Sequence, residues 1–193
     1  FSSGAYNVLL GTQMVAKGHD IPNVTLVGIL SADSTLNLPD FRASERTFAL
    51  LTQAAGRAGR GDKPGHVVLQ TYDPQNPVIR LAATQDYDAF AAGELEIRQE
   101  LCYPPYTSLL KITVLDKDEQ RGNTLAQRIV NFLQIMQLEN TAQELQVLGP
   151  FPAIVAKVRD LYRTNILVKS PQMEAVKQAL WQSEFNECRT VYF

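Results

Sequence analysis

Cysteine is scarce in this 193-residue chain, and its two examples, Cys102 and Cys188, stand apart in sequence. They give neither the paired spacing of a zinc knuckle nor a disulfide framework, so the reading is two buried, reduced thiols in a cytoplasmic setting. No apolar run approaches the ~18 residues of a membrane-spanning helix. The N-terminal Phe1-Ser2-Ser3-Gly4 has neither the basic region nor the apolar core of a signal peptide. It also lacks an initiator methionine, which points to a start inside a longer gene product. Excess positive charge is missing too: 18 Lys and Arg face 20 Asp and Glu, for a formal net charge of −2. The whole chain is therefore no polycation built to coat nucleic acid, and any such contact must come from local patches. Internal repeats and low-complexity segments are absent. What remains is an ordinary globular composition, 45% apolar, too rich for disorder and long enough for one domain or two small ones.

The first third alternates between two rhythms. Tyr6–Thr12, Val24–Leu30 and His66–Thr71 are short apolar runs that read as buried strands. A helix is expected from about Phe41 to Ala55, capped by Asp40 or Ser44, with Phe48, Leu51 and Ala55 on one face. Strands separated by helical crossovers imply a parallel α/β sheet, here the trailing half of a lobe. Residues 77–104 form a helical linker, with Leu95, Arg98 and Leu101 at helical spacings, ended by Tyr103-Pro104-Pro105. The remainder, 105–193, reads as strand (Ser108–Leu115), helix (Gln120–Leu138), two strands joined by a tight turn (Ala153–Arg159, Tyr162–Lys169), helix (Met173–Ser183) and strand (Cys188–Phe193). That β-α-β-β-α-β order predicts a small α+β domain with both helices on one sheet face. Leu125, Ile129, Phe132, Leu133 and Met136 are expected core, as are Trp181, Phe185 and Tyr192.

The chemistry concentrates in Gln53-Ala54-Ala55-Gly56-Arg57-Ala58-Gly59-Arg60. Its glycines let backbone approach a ligand, and Arg57 and Arg60, three apart, would project to one side of a helical turn. Two forked cations beside glycines suit a polyphosphate; the plain alternative is a solvated basic turn. Upstream, Thr12 ends a predicted strand, the place where open α/β sheets meet ligands, and Lys17-Gly18-His19-Asp20 follows as a polar turn. Taken alone that segment is equally a structural loop, with His19 a hydrogen-bonded loop histidine. In the last domain Lys157 and Arg159 share a strand face by the period of two, and with Tyr162 and Arg163 make a basic-aromatic hairpin. Such a hairpin can grip a nucleic-acid phosphate and stack on a base, or merely protect an edge strand from aggregation.

A strand-end threonine, a Gly-x-Asp turn, a second strand and then Gln-x-x-Gly-Arg-x-Gly-Arg resembles motifs V and VI of superfamily 2 helicases. The segments Thr12–Asp20 and Pro39–Arg46, with the Tyr103-Pro104-Pro105 junction, narrow the resemblance to the primosomal replication-restart DNA helicases. It runs through nearly the whole chain and is strongest from Leu10 to Arg60. The resemblance implies an α/β fold: the C-terminal part of a second RecA-like lobe (1–76), followed by an S10-like α+β domain that binds branched DNA. It implies that Thr12 contacts the DNA backbone, that Gly18, Asp20 and Gln53 lie at the nucleotide side, and that Arg57 and Arg60 are arginine fingers. It also implies an ATP-driven 3′ to 5′ motor acting at stalled forks. Its partners would be forked DNA, other primosome proteins and single-strand-binding protein, with no membrane.

One feature of such motors is missing. No G-x-x-x-x-G-K-[ST] phosphate loop occurs, so ATP and Mg²⁺ would be completed by a first lobe and zinc held only in the intact protein. The chain by itself is expected to hydrolyse no ATP and to hold no metal. Two alternatives stay open: another superfamily 2 motor, and a non-catalytic adaptor with a vestigial lobe. The Pro-Asp-Phe-Arg and Tyr-Pro-Pro segments and the appended domain speak against the first, and intact Arg57 and Arg60 against the second.

Overall fold

In the computed structural model, which describes residues 5–12, 24–59, 63–138, 144–187 and 191–192, the chain divides into two units, Phe1–Glu96 and Ile97–Phe193. Two short parallel strands, Leu26–Ile29 (β1) and His66–Leu69 (β2), underlie the first, with Leu26 opposite His66 and Ile29 opposite Leu69. Between them lie a one-turn helix, Asp33–Leu36 (α1), and a longer one, Ala43–Ala55 (α2). The α2 helix buries Ala43, Thr47, Phe48, Leu51 and Ala54, a stripe at helical spacing. Ala54, not Ala55, closes the inward face. Asp40 sets the helix entry: its carboxylate accepts the Arg42 backbone N–H at 2.9 Å and pairs with Arg46 at 2.7 Å.

Asn76 accepts the Val78 N–H at 3.0 Å and Pro77 opens the next helix, Pro77–Thr84 (α3). Gln85, left-handed at φ 56°, ends it. The helical stretch expected as one piece is therefore two, the second being Tyr87–Glu100 (α4). Phe48, Leu51, Ile79, Ala82 and Phe90 form the core of this unit with Ala32. The Phe48 and Phe90 rings stack 4.2 Å apart, a pairing worth about 1 kcal/mol beyond burial.

Two expectations fail here. Residues 6–12 form no strand, and Val8 and Leu10 are exposed. An apolar run becomes a strand only where a neighbour takes its backbone N–H and C=O groups, and among the described residues none pairs with it. Nor are β1 and β2 buried on both faces. Ile29 and Leu69 pack on the helical core, while Leu26 and Val68 point away and stay about 60% exposed.

The second unit follows the predicted β-α-β-β-α-β order: Ser108–Asp116 (β3), Glu119–Leu138 (α5), Gln146–Val158 (β4), Leu161–Ser170 (β5), Met173–Gln182 (α6) and Val191–Tyr192 (β6). The strands form one antiparallel sheet ordered β4-β5-β3-β6. Ile129, Leu133 and Met136 of α5 and Met173, Val176 and Leu180 of α6 meet Ile112, Val114, Ile166 and Val168 in one core, so both helices share one sheet face. Strand β4 begins at Gln146 and not at Ala153, running through Pro150 and Pro152. As the edge strand of the sheet, it tolerates prolines whose missing N–H a central strand would need.

Of the three aromatics expected in the core, Phe185 is buried, but Trp181 is 68% exposed. Trp181 follows Leu180, the last inward residue of α6, by one position, a rotation of about 100° that turns it outward. The side chain of Tyr192 lies outside the described set, as does Cys188. Cys102 is a free thiol but only half-buried, in a left-handed position (φ 51°) just past α4. No helix among the described residues is long and apolar enough to cross a membrane.

Asp116, at the end of β3, ties the sheet to α5. Both its carboxylate oxygens accept from Arg121, each at 2.8 Å, and one accepts the Asp118 backbone N–H at 2.9 Å. These bonds, the Arg121 pair first, hold its pKa below the ordinary value of 3.8 against the opposing cost of burial. The folded state thus favours the ionised form, and the stabilisation is full above the unfolded value and lost as pH falls through the folded one. Asp116→Asn is expected to lower stability by about 1 kcal/mol at pH 7. Urea melts from pH 7 to pH 3 should show the gap closing below about pH 4; a gap independent of pH would show that the charge is not what matters.

Candidate functional site

The arginine-bearing run is positioned by backbone contacts at both of its ends. The α2 helix stops at Ala55, and Arg57 N and Ala58 N continue as tighter bonds to Ala54 O and Ala55 O, each at 3.1 Å. Gly59 then turns left-handed (φ 75°), and its N–H donates to Val24 O at 3.0 Å, just before β1. On the other side Gly65, just before β2, lies flat against the backbone of Ala58 and Gly59. A β-carbon there would overlap the Gly59 nitrogen and the Ala58 carbonyl carbon. His66 N donates to Thr25 O at 2.8 Å and completes the fastening.

This turn therefore sits against the N-terminal ends of both parallel strands, with half-buried Arg57 at its centre. Gln53 is exposed, one helical turn upstream on α2. The chain leaves the helical path at Gly59. Arg60 lies outside the described residues, as do Gly18, His19 and Asp20. Thr12 is described, exposed and not at a strand end. An arginine in a turn flanked by glycines is a residue set that suits a phosphate. No cluster of three or more His, Cys, Asp or Glu able to hold a metal occurs among the described residues.

At the opposite, C-terminal ends of the strands, a group that sequence reasoning missed comes together. Asp33, buried at the start of α1, accepts the Thr71 hydroxyl at 2.7 Å and the Tyr72 backbone N–H at 3.0 Å. Thr71 in turn accepts the Asp73 N–H at 3.0 Å. The Thr71 hydroxyl and then the Tyr72 N–H hold the Asp33 carboxyl below the usual carboxylate range, burial opposing them. The only sequence signal was an aspartate one turn after an apolar strand, and its partners lie 38 and 39 residues away.

The hairpin differs from its expected form. Arg159 and Asp160 are its two-residue turn, both left-handed (φ 48° and 61°), so Arg159 is not on a strand. This mirror-image turn matches the strand twist and closes the hairpin tightly. Lys157 pairs in register with Tyr162, and its ammonium lies 4.8 Å from the ring centroid. It also reaches Asp160 at 3.7 Å, an exposed and weak pair. Arg163 follows Tyr162 by one position and therefore faces the other side of the sheet, opposite Leu115. The structure brings Lys157 and Tyr162 together, places Arg159 beside them at the tip, and separates Arg163.

Comparison with known proteins agrees with this division. Residues 99–190 match the family described as Primosomal protein N C-terminal domain, and residues 1–62 match the Helicase conserved C-terminal domain. The chain is similar to Replication restart protein PriA of Bacillus subtilis, 46% identical over 172 residues, covering 89% of this chain and 21% of that protein. It is 42% identical over 194 residues to the protein of that name from Treponema pallidum, covering 100% of this chain and 29% of the relative. The Haemophilus influenzae protein is 40% identical over 177 residues, or 92% and 24%. The chain thus spans about a fifth to under a third of the length of these curated relatives.

Asp33→Asn tests the clamp across the strand ends. Amide hydrogen exchange at Tyr72 is expected to speed up while Gln70, bonded to Ile29 O in the parallel ladder, keeps its protection. Equal loss at both amides would mean the whole unit has loosened instead.

Proposed function

Because the chain belongs to the family of replication restart proteins PriA, we propose that it is a segment of an ATP-dependent 3′ to 5′ DNA helicase that restarts replication at stalled forks. In this reading 1–76 is the trailing part of the second RecA-like lobe, 77–104 a helical linker and 105–193 a DNA-binding domain. Arg57 and Arg60 act as arginine fingers toward the γ-phosphate of ATP, with Gly18, Asp20 and Gln53 at the nucleotide side and Thr12 on the DNA backbone. The observation that carries this is the fastening of the Arg57 turn. Its backbone is fixed to Val24 on one side and packed on Gly65 on the other, which fixes the backbone that carries Arg57.

ATP with Mg²⁺ supplies the free energy that drives strand separation. The residues of this chain bind and orient, stabilising charge that develops on the phosphoryl oxygens. The sequence holds no phosphate loop, so the remaining ATP contacts fall to a first lobe, and the chain alone is expected not to turn ATP over. Zinc, in this reading, belongs to other parts of the intact protein. At the hairpin tip Lys157, Arg159 and Tyr162 contact DNA, phosphate competing readily for Lys157 against its weak Asp160 pair, and Arg163 adds a contact from the opposite face. Forked DNA, other primosome proteins and single-strand-binding protein are the partners, in the cytoplasm.

In the intact protein Arg60→Ala is expected to lower DNA-stimulated ATP turnover by roughly 10³-fold or more, the range for arginine fingers. Fork binding in the absence of nucleotide should stay near the parent value. Turnover within a few-fold of the parent would remove Arg60 from the finger role.

A further inference from the structure

The sheet of the second unit has two unlike faces, and the one opposite α5 and α6 carries Arg163. Register fixes what it carries. Phe151, Asn165 and Thr113 lie in one row across β4, β5 and β3; Leu148 and Lys111 belong to the row before it and Arg163 to the row after. Lys111 and Arg163 are thus four residues apart along the strands, on the order of 13 Å, with the Phe151 row between them.

Phe151 reaches this face only through an irregularity. Simple alternation would send Leu148 and Pro150 to one side and Phe151 to the other. Strand β4 carries one extra residue between Leu148, opposite Leu167, and Phe151, opposite Asn165. That bulge turns Phe151 back to the side of Leu148. Gly149 makes it possible. Its φ is 117°, and a β-carbon would come within 2.9 Å of Asn165 O and 3.1 Å of Phe151 Cδ1, so the aromatic ring rests against the glycine. The result is an aromatic side chain 40% exposed, beside Leu148 at 43%, on the open side of the sheet.

The polar groups of this face are arranged as well. Asn165 Oδ1 accepts the Thr113 hydroxyl at 3.0 Å, which leaves the amide NH₂ as the donor this row presents. Among the register-paired positions of the face, three side chains are cationic (Lys111, Arg163 and Lys169) and none is acidic, in a chain of net charge −2. Lys169 is buried, donating to Leu101 O at 2.7 Å and lying 3.7 Å from the Tyr103 ring centroid. It adds positive potential without being available for contact. Lys111 is exposed and Arg163 half-buried, and neither meets a carboxylate among the described residues.

We propose that this face binds single-stranded DNA. Phe151 stacks on a base, the Asn165 amide donates to a base edge, and Lys111 and Arg163 take phosphates on either side. An exposed aromatic on a sheet flanked by cations supplies both parts of single-strand binding, a stacking platform and an electrostatic track. The inference rests on the DNA-binding reading of the second unit and assigns it a surface, distinct from the hairpin tip.

The test is fluorescence anisotropy of labelled oligo(dT) with the full 193-residue chain, each variant checked by circular dichroism and thermal melting. Phe151→Leu keeps the apolar bulk but removes the π-face and is expected to weaken binding about tenfold, whereas Phe151→Tyr should retain it. Lys111→Gln, which leaves the Arg163 contact of the hairpin reading in place, should flatten the slope of log affinity against log salt by about 0.7, the value for one lost phosphate. Parent affinity and slope in all the folded face variants would overturn the proposal. If Lys157→Gln alone then weakens binding, the hairpin reading stands and only the face is lost. No measurable binding by the parent chain at low salt would overturn both.

Discussion

The backbone of Gly65 lies against that of Ala58 and Gly59, closer than any β-carbon permits. Through this contact the turn after α2 is held between the segments that enter β1 and β2, with the Gly59 to Val24 hydrogen bond closing the other side. The two strands are only four residues each, too short to fix the end of a helix by themselves. The parallel pair, the helix that crosses between its strands and the direction in which Arg57 leaves the backbone are therefore settled together. A phosphate-binding role for this turn needs that rigidity, since a guanidinium contributes most when little ordering remains to be done on binding.

The second unit uses glycine differently. Its core is conventional, two helices against one sheet face, and Asp116 with Arg121 ties strand to helix at the rim. The departure from regularity lies on the other face, where Gly149 and Pro150 insert a bulge into an edge strand and re-aim Phe151. A bulge costs ladder hydrogen bonds, and an exposed phenylalanine stabilises the fold little, so stability alone gives no reason for the arrangement. In each unit one of the segments proposed to bind a ligand is a place where a glycine allows a backbone, or a ring, to come closer than a side chain would.

Local pattern made much of this legible in the sequence. The helical stripe of Phe48 and Leu51, the long amphipathic face of α5, the parallel pairing and the β-α-β-β-α-β order all follow from residues near one another in the chain. Readings that depended on partners were the ones that failed. Val8 to Leu10 looked like a buried strand, but no strand among the described residues pairs with it. Trp181 looked like core, yet one position of helical rotation turned it out. Pro150 and Pro152 hid the first half of β4, because a proline argues against a strand unless the strand is known to lie at an edge. Of the site, the motif spacing singled out Arg57 and its glycines. The contact with Gly65, the Asp33 bonds to Thr71 and Tyr72, and the face of Phe151 depend on pairings that no local pattern encodes.

The central claim is that the glycine contact positions Arg57 for nucleotide chemistry, and a double-mutant cycle addresses it directly. In the intact protein, DNA-stimulated ATP turnover would be measured for Gly65→Ala, Arg57→Lys and the two combined, at temperatures where all remain folded. If Gly65 acts by holding the arginine turn, each change lowers turnover and the double variant is scarcely worse than the weaker single. The coupling would then be at least about 1 kcal/mol. Losses that simply add would show the two residues acting independently and would contradict the account.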